Sequence, residues 1–310
     1  MYMNIAFLFP GQGSQKVGMG KDLFDSSAHA KERYLQANDI MEMNLANLSF
    51  NGPEDKLRQT EFTQSAIFVL SVIIAELLIE AGIKPSFVAG HSLGEYSALT
   101  VSGVFNFEEG LKLVKVRGKA MSIASHKNKG SMAAIIGLTD AEVSEICIAA
   151  STNDEIVVPA NLNCPDQIVV SGNILALDRA IELANSKGAR KAMKLNVSGA
   201  FHSPLMSTAK SRLKKALDQT NLQPANYPVV MNVEAKKVTA PKIILKNLIS
   251  QIDHPIRWAE TIIELRKSSV DDYIEVGPGR VLQGINRRID RSLETKGIET
   301  FEQIKELKLV

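Results

Sequence analysis

Short apolar runs alternate with longer helical patterns along much of the chain. The run Ile5–Phe9, which ends at a Pro-Gly pair, predicts a buried strand, and Phe87–Ala89 predicts another. Helical patterns cover Ser65–Ala81, a stretch beginning at Glu95, and Glu108–Ser125. Strands that alternate with helices in this way favour a parallel α/β sheet.

The middle of the chain, from Ser131 to Val197, has a different order of elements. Its pattern predicts βαββαβ, which is the order of a ferredoxin-like fold. We therefore expect a small ferredoxin-like subdomain, residues 128–197, inserted into a larger α/β body formed by residues 1–127 and 198–310. The six predicted elements are Met132–Ile136, Ala141–Ala150, Ile156–Leu162, Ile168–Ser171, Leu175–Lys187 and Ala192–Val197.

The larger body resumes after this insertion. A helix is predicted from Leu205, followed by strands at Val229–Val233 and Tyr273–Val276 and a helix after Gly279. Beyond Asp290 the tail is charged and shows no strong pattern.

Composition narrows the class of protein. A chain of 310 residues that is 45% hydrophobic buries a large core, and a net charge of +2 without basic blocks argues against nucleic-acid binding. The N-terminal run reads as a strand rather than a signal peptide. The longest apolar run, Ala66–Ile79, is interrupted by Ser71 and Glu76, so we expect no membrane-spanning segment.

The two cysteines bear on the cellular compartment and on metal binding. Cys147 and Cys164 lie in no Cys-x-x-Cys or Cys/His cluster, so neither a disulfide framework nor a metal site is expected. A reducing cytoplasm is the expected setting.

A Gly-His-Ser-Leu-Gly motif at residues 90–94 lies between a predicted strand and a predicted helix. It matches the G-x-S-x-G nucleophile elbow in the strand–turn–helix setting that the motif requires. The two glycines permit a sharp turn that lifts Ser92 Oγ towards the positive end of the helix. An ordinary loop with Ser92 as a helix N-cap is the alternative. The flanking elements favour the elbow, and with it an α/β-hydrolase-like large subdomain.

A serine nucleophile needs a base that accepts its proton. His202 lies in a loop of small residues between the last strand of the insertion and a helix, where a catalytic group is plausible. His254, which precedes a proline, is the second candidate. Spacing favours His202 over His254. Of the other three histidines, His91 should point its side chain away from Ser92, and His29 and His126 have polar surroundings.

Arg117 falls on the apolar side of its predicted helix. A buried arginine requires an anionic partner, since its charge is otherwise costly to bury. Two interpretations fit: an ion pair with an internal carboxylate, or a substrate carboxylate held by the planar guanidinium.

Together these residues resemble the malonyl-CoA:acyl carrier protein transacylase family, over nearly the whole chain. The resemblance rests on residues 9–15 (Phe-Pro-Gly-Gln-Gly-Ser-Gln), 90–96, Arg117, 161–163, 200–206 (Ala-Phe-His-Ser-Pro-Leu-Met), Gln251, 255–258 and 275–279.

The resemblance implies roles for these positions. It implies Ser92 as nucleophile, His202 as acid-base and the main-chain carbonyl of Gln251 as the group that orients His202. The implied substrate-binding positions are the N–H groups of Gln12 and Leu93 for the oxyanion, Arg117 for the malonyl carboxylate, Asn161 for the pantetheine arm, and Phe201, whose ring would exclude an α-methyl group. Asp253 leaves an acidic partner for His202 open.

The implied reaction moves malonyl from malonyl-CoA to holo acyl carrier protein for fatty-acid synthesis, without a cofactor, and in a monomer. Two alternatives differ in the acceptor. A serine thioesterase or hydrolase would have an acidic third group, and an acyltransferase serving a polyketide synthase would use another carrier. A non-catalytic carrier-binding subunit is a third. An acidic carrier would favour a basic rim, for which the candidates are Lys187, Arg190, Lys191, Lys194, Arg287, Arg288 and Arg291.

Overall fold

The computed structural model describes residues 4–308. The outermost residues of the predicted large subdomain, 1–3 and 309–310, lie outside this range. Ten strands lie within the described residues: β1 (Ile5–Phe9), β2 (Phe87–Gly90), β3 (Gly130–Ile136), β4 (Val157–Cys164), β5 (Gln167–Asn173), β6 (Lys191–Lys194), β7 (Val229–Val230), β8 (Lys237–Val238), β9 (Asp272–Val276) and β10 (Thr295–Ile298).

Fourteen α-helices lie in the same range, with a 3₁₀ turn at Pro204–Met206. They are α1 (Lys21–Ser26), α2 (Ala28–Met41), α3 (Leu45–Asn51), α4 (Glu54–Leu57), α5 (Thr60–Glu80), α6 (Gly94–Val101), α7 (Phe107–Lys127), α8 (Asp140–Ala150), α9 (Ile174–Ser186), α10 (Ser207–Asp218), α11 (Pro241–Gln251), α12 (Trp258–Lys267), α13 (Val281–Ile289) and α14 (Phe301–Lys308).

The large sheet has the order β10-β9-β1-β2-β7-β8 and is parallel except for β8. Its register pairs Phe9 with Gly90, so β1 and β2 end side by side. In parallel α/β sheets, ligands bind beyond the carboxyl ends of such strands. The glycine-rich turn after β1 and the serine motif after β2 are therefore brought together.

The small sheet is antiparallel, with the order β4-β5-β3-β6. Its apolar face packs with α8 and α9 into a core of its own, which includes Ile135, Ile146 and Leu177. The predicted fold class, a parallel α/β body with an inserted ferredoxin-like unit, is confirmed. All four strands fall within the predicted insertion, and the boundaries at 128 and 197 stay a prediction.

Several predicted elements differ in length from those observed. Strand β6 ends at Lys194 and β7 at Val230, each three residues before the predicted end. The tail beyond Asp290, for which no structure was predicted, forms β10 at the edge of the large sheet and then α14. The tail therefore completes the large sheet beside β9.

Helix α5 corrects the expectation about membrane-spanning length. It begins at Thr60, five residues before the predicted start, and its 21 residues are long and apolar enough to cross a membrane. However, 83% of its most apolar window is buried within the fold, where it packs against α7 and α6. Length and composition alone are thus weak evidence, and burial identifies α5 as a core helix.

Candidate active site

Ser92 lies in a sharp turn between β2 and α6. A Cβ at Gly90 would lie 1.9 Å from the carbonyl carbon of Gly94, and a Cβ at Gly94 would lie 2.0 Å from the carbonyl oxygen of Phe9. Neither position therefore tolerates a side chain in this turn. The sequence motif is explained by these two close approaches, and the predicted elbow is confirmed as a strand–turn–helix.

The backbone of Ser92 is strained, and Asn232 holds it. Ser92 has a φ of +53°, a left-handed conformation that costs a non-glycine residue about 1–3 kcal/mol. Its N–H donates to Asn232 Oδ1 at 2.9 Å, and Asn232 Nδ2 donates to the carbonyl of Gly90 at 2.7 Å. Sequence reasoning missed Asn232, because it follows a different strand and no motif marks it.

His202 reaches Ser92 from the loop after β6. Its Nε2 lies 2.7 Å from Ser92 Oγ, and its Nδ1 lies 2.8 Å from the carbonyl oxygen of Gln251. Since a carbonyl only accepts hydrogen bonds, Nδ1 carries the proton and Nε2 is left to accept one from Ser92. The geometry of the predicted pair is therefore that of a serine beside a base.

No acidic group orients His202 within residues 4–308. Asp253, the open candidate, instead binds Lys210 Nζ through both oxygens at 2.9 Å and His254 Nδ1 at 2.7 Å. His254 is exposed and faces away into this cluster. The acidic third group that the hydrolase alternative requires is thus replaced by the carbonyl of Gln251.

Burial sets the protonation state of His202. The residue is 4% exposed, and this burial, with the nearby charge of Arg117, lowers its pKa from 6.5 to about 3. The imidazole is consequently neutral at physiological pH and available as a base.

Arg117 is fully buried on α7 and points at the serine. Its Nη2 donates to Ser92 Oγ at 3.0 Å and to Gln251 Oε1 at 2.9 Å, and its Nη1 donates to Gln64 Oε1 at 2.7 Å. The guanidinium lies 5.4 Å from the centre of the Tyr96 ring. No carboxylate lies within 4.0 Å of it in the described part of the chain, so Arg117 forms no direct internal ion pair. Burial lowers the pKa of Arg117, although the charge of Glu95 raises it.

Two backbone N–H groups in the turns around the serine have no hydrogen-bond partner among residues 4–308. They belong to Gln12, in the turn after β1, and Leu93, the residue after Ser92. The two turns touch, because a Cβ at Gly11 would lie 2.6 Å from the carbonyl oxygen of His91. Both groups are thus free of backbone partners, and their role in binding an oxyanion stays a prediction.

Both asparagines of the Asn-Leu-Asn motif lie on β4, which bridges to Ile256 of the large subdomain at Asn161. Asn163 is 5% exposed, and its Oδ1 lies 2.8 Å from His91 Nε2. Asn161 has a buried Oδ1 with no partner among the described residues, at a bulge in β4. Phe201 is 6% exposed and packs into the main core beside His202, and its role against an α-methyl group stays a prediction.

Comparison with known proteins decides the family. Residues 6–307 match the acyl transferase domain family. A malonyl CoA-acyl carrier protein transacylase of Bacillus subtilis (strain 168) is 41% identical over 300 residues, which are 97% of this chain and 95% of that protein. The chain belongs to the malonyl-CoA:acyl carrier protein transacylase family.

Solved structures of this transacylase family have the same fold. One from Coxiella burnetii superposes with a TM-score of 0.96, at 39% identity, over 99% of this chain and 97% of that one. A malonyl-transacylase in complex with a type II PKS acyl-carrier protein superposes at 0.94, with 36% identity, over 97% of this chain and 98% of that one. The predicted family and acyltransferase class are therefore confirmed.

The described residues also bear on metals and redox chemistry in this transacylase. Residues 4–308 contain no group of three or more His, Cys, Asp or Glu side chains arranged to hold a metal ion. Cys147 and Cys164 are free and buried, and burial raises their thiol pKa values to about 12 and about 11. Neither thiol is thereby activated as a nucleophile.

Proposed function

We propose that this protein transfers malonyl from malonyl-CoA to the phosphopantetheine thiol of acyl carrier protein, through a malonyl ester of Ser92. The observation that carries the proposal is Arg117: a fully buried guanidinium, 3.0 Å from Ser92 Oγ, with no carboxylate partner in the described residues. A malonyl thioester brings a carboxylate a short distance from its reacting carbonyl. Bound to Arg117, that carboxylate would place the carbonyl beside Ser92.

The first half of the reaction loads the enzyme. Ser92 Oγ attacks the thioester carbonyl while His202 Nε2 takes the hydroxyl proton. The N–H groups of Gln12 and Leu93 stabilise the oxyanion, in a site where preorganised donors contribute several kcal/mol. The intermediate collapses by breaking the C–S bond, and His202 returns the proton to coenzyme A thiolate.

The second half repeats these steps in reverse order. The carrier thiol gives its proton to His202 and its sulfur attacks the ester carbonyl of malonyl-Ser92. The C–O bond then breaks, and His202 returns the proton to Ser92 Oγ. The products are malonyl-carrier protein and free enzyme, so atoms and protons balance with side chains alone.

A path for the pantetheine arm follows β4. The unpartnered Oδ1 of Asn161 suits a pantetheine amide N–H. Asn163 contacts His91 next to the nucleophile, and Pro165, two residues further on, lines a surface groove of about 970 Å³. The strand thus connects the groove to Ser92.

We propose that this groove docks the carrier protein. An acidic carrier is attracted to a wall of positive charge, which speeds encounter and fixes orientation. Lys187 and Lys194 lie outside the groove and pair with Glu145 and Asp178, while Arg190 within it pairs with Asp166. The basic residues that line the groove are Arg190, Lys191, Arg287, Arg288 and Arg291, with Asp166 as its acidic member.

One experiment tests both the reaction and the docking. The malonyl-enzyme is isolated after brief exposure to malonyl-CoA, and decay of the ester is followed with holo carrier protein, with free pantetheine, or with water alone. We expect the carrier to react fastest, since it has both the thiol and the acidic surface, with pantetheine slower and water slowest. Intact-mass spectrometry records the ester and the malonyl-carrier product.

The order of the three rates separates the alternatives. Water as the fastest acceptor would identify a hydrolase, and no ester at all would favour the non-catalytic subunit. Equal rates for carrier and pantetheine at equal concentration would contradict docking in the groove while leaving the chemistry intact.

Replacing Arg117 by Ala is expected to lower malonyl loading about 100-fold, because the substrate carboxylate loses its cation. Acetyl loading, which needs no cation, should change by less than about tenfold. Initial rates with malonyl-CoA and acetyl-CoA measure the two losses. Rates with methylmalonyl-CoA in the same series check the proposed steric role of Phe201. Equal losses for malonyl and acetyl would contradict the carboxylate role of Arg117.

The proposal also covers the pathway that uses the product, the compartment and the oligomeric state. A malonyl-carrier product supplies two-carbon units to fatty-acid synthesis, and we propose that this is its use, in the cytoplasm and as a monomer. Comparing a fatty-acid carrier with a polyketide carrier in the decay assay tests the use in fatty-acid synthesis. Sedimentation tests whether the protein is a monomer.

A further inference from the structure

Glu95 is a fully buried carboxylate three residues after the serine. Its Oε1 accepts the backbone N–H of Asn232 at 2.6 Å, and its Oε2 accepts from Gln251 Nε2 at 2.7 Å. Burial of an ionised carboxylate without a directly paired cation is costly. No cation lies within 4.0 Å of Glu95 in residues 4–308. The mechanism described above does not use this group.

The two oxygens of Glu95 determine how the Gln251 side chain is turned. In its ionised form Glu95 only accepts hydrogen bonds, so the end of Gln251 that faces it is the NH₂ group. The carbonyl end, Oε1, then faces Arg117 Nη2 at 2.9 Å. Gln251 Nε2 also donates to the carbonyl of Ser92 at 2.8 Å, which agrees with this orientation.

The orientation of Gln251 fixes Arg117 in turn. Gln251 Oε1 and Gln64 Oε1 hold the two terminal nitrogens of the guanidinium, and so define the plane in which it meets Ser92 Oγ. The charges are also coupled. Burial lowers the pKa of Arg117, and Tyr96 and Glu95 raise it. Burial also raises the pKa of Glu95 to about 8, against the N–H of Asn232 and the charge of Arg117, so the ionised form that only accepts hydrogen bonds prevails above about pH 8.

We propose that Glu95 is a positioning residue that sets selectivity for acyl groups bearing a carboxylate, by holding the carbonyl of the Gln251 side chain towards Arg117. This inference rests on the proposed malonyl transfer. It adds a determinant that does not touch the substrate and acts through a neutral amide.

The test is Glu95→Gln, which keeps the shape of the side chain and replaces one acceptor with a donor. The new NH₂ group of residue 95 faces either the N–H of Asn232 or the NH₂ group of Gln251. If it faces Gln251, two donors meet, and the Gln251 amide turns over to avoid this. The NH₂ group of Gln251 would then face the N–H of Arg117. In assays above pH 8, where wild-type Glu95 is ionised, we expect malonyl loading to fall about 100-fold and acetyl loading about tenfold, so that the malonyl-to-acetyl ratio falls about tenfold.

A double variant separates positioning from general damage. If Glu95 acts through Arg117, the malonyl-to-acetyl ratio of Glu95→Gln/Arg117→Ala equals that of Arg117→Ala alone. A further fall in the ratio beyond that of Arg117→Ala would overturn the proposal. An unchanged ratio in Glu95→Gln would overturn it as well, whether both loading rates fall together or neither falls.

A second buried glutamate provides a matched control. Glu275 is fully buried and accepts the backbone N–H groups of Leu282 and Gln283 at the start of α13, at 2.9 and 3.1 Å. Glu275→Gln thus changes a buried carboxylate in the same way outside the site, and its loading ratio should equal that of the wild type.

Should Glu95→Gln fail to fold, Glu95→Asp is the second variant. It retains the carboxyl group and withdraws it from Gln251 by one methylene, so the ratio should fall in the same direction but less. A wild-type ratio in Glu95→Asp would count against the proposal. Failure of wild-type protein to load malonyl at all would remove the proposed function itself, whereas normal loading with an unaltered variant ratio removes only the role of Glu95.

Discussion

Replacing Ser92 by Ala is expected to lower malonyl transfer by about 10⁴-fold or more and to abolish the covalent ester. Variants of serine enzymes that lose the nucleophile retain only what binding and oxyanion stabilisation supply, which sets this magnitude. Ser92 Oγ accepts a hydrogen bond from Arg117 and lies beside His202 Nε2, so its loss removes the atom that both side chains contact. Intact-mass spectrometry after incubation with malonyl-CoA measures the ester directly.

Ser97 supplies the control for this change. It is fully buried on the same helix, α6, and its Oγ has no hydrogen-bond partner among the described residues. Ser97→Ala therefore removes a hydroxyl from the same helix without removing an interaction, and it should load malonyl like the wild type. A malonyl ester on Ser92→Ala protein would show that another group is the nucleophile.

Replacing His202 by Ala is expected to lower malonyl loading about 10³- to 10⁴-fold, because no base then accepts the Ser92 proton. His254→Ala, which alters an exposed histidine that the structure places outside the site, is the control and should retain activity. Stopped loading time courses with malonyl-CoA measure both. A near-normal rate of malonyl loading in the His202→Ala variant would show that another group acts as the base.

The pH dependence supplies an independent readout of His202. Since its pKa is lowered to about 3, the imidazole stays neutral as pH falls through 6.5, and the acid limb of loading kcat/KM should lie well below pH 6.5. In Arg117→Ala the repelling charge is gone, so this limb should move to higher pH. The unfolded chain protonates near pH 6.5, so acid also destabilises the fold and the folded fraction is followed at each pH.

The serine turn was predictable because local sequence determines it, whereas His202 was favoured over His254 only by its loop and by the resemblance. The elbow needs glycine at two close approaches, and the strand and helix around it have patterns that a single sequence reveals. Arg117 could be placed on a buried helix face, but its partner could not, since both interpretations required only an anion. The tertiary structure shows no carboxylate in direct contact with Arg117 among the described residues, and its role towards a substrate carboxylate stays a prediction.

The supporting groups could not be predicted in the same way. Asn232 and Glu95 act through hydrogen bonds to residues 140 and 156 positions away, namely Ser92 and Gln251, and neither lies at a recognisable spacing. Strand β10 was missed for a related reason. Its four residues, Thr295–Ile298, have little pattern of their own and become a strand by pairing with β9.

The insertion of the small sheet also determines when activity appears during synthesis. Ser92 precedes it, His202 follows it, and Gln251 lies 159 residues after Ser92. A ribosome that has just made the serine turn has yet to make the base, the carbonyl that orients it and four of the six strands of the large sheet. Contacts of such separation close late in folding. A nascent chain therefore presents an inert serine, and acyl chemistry begins only once the carboxyl-terminal third has folded against the first two strands.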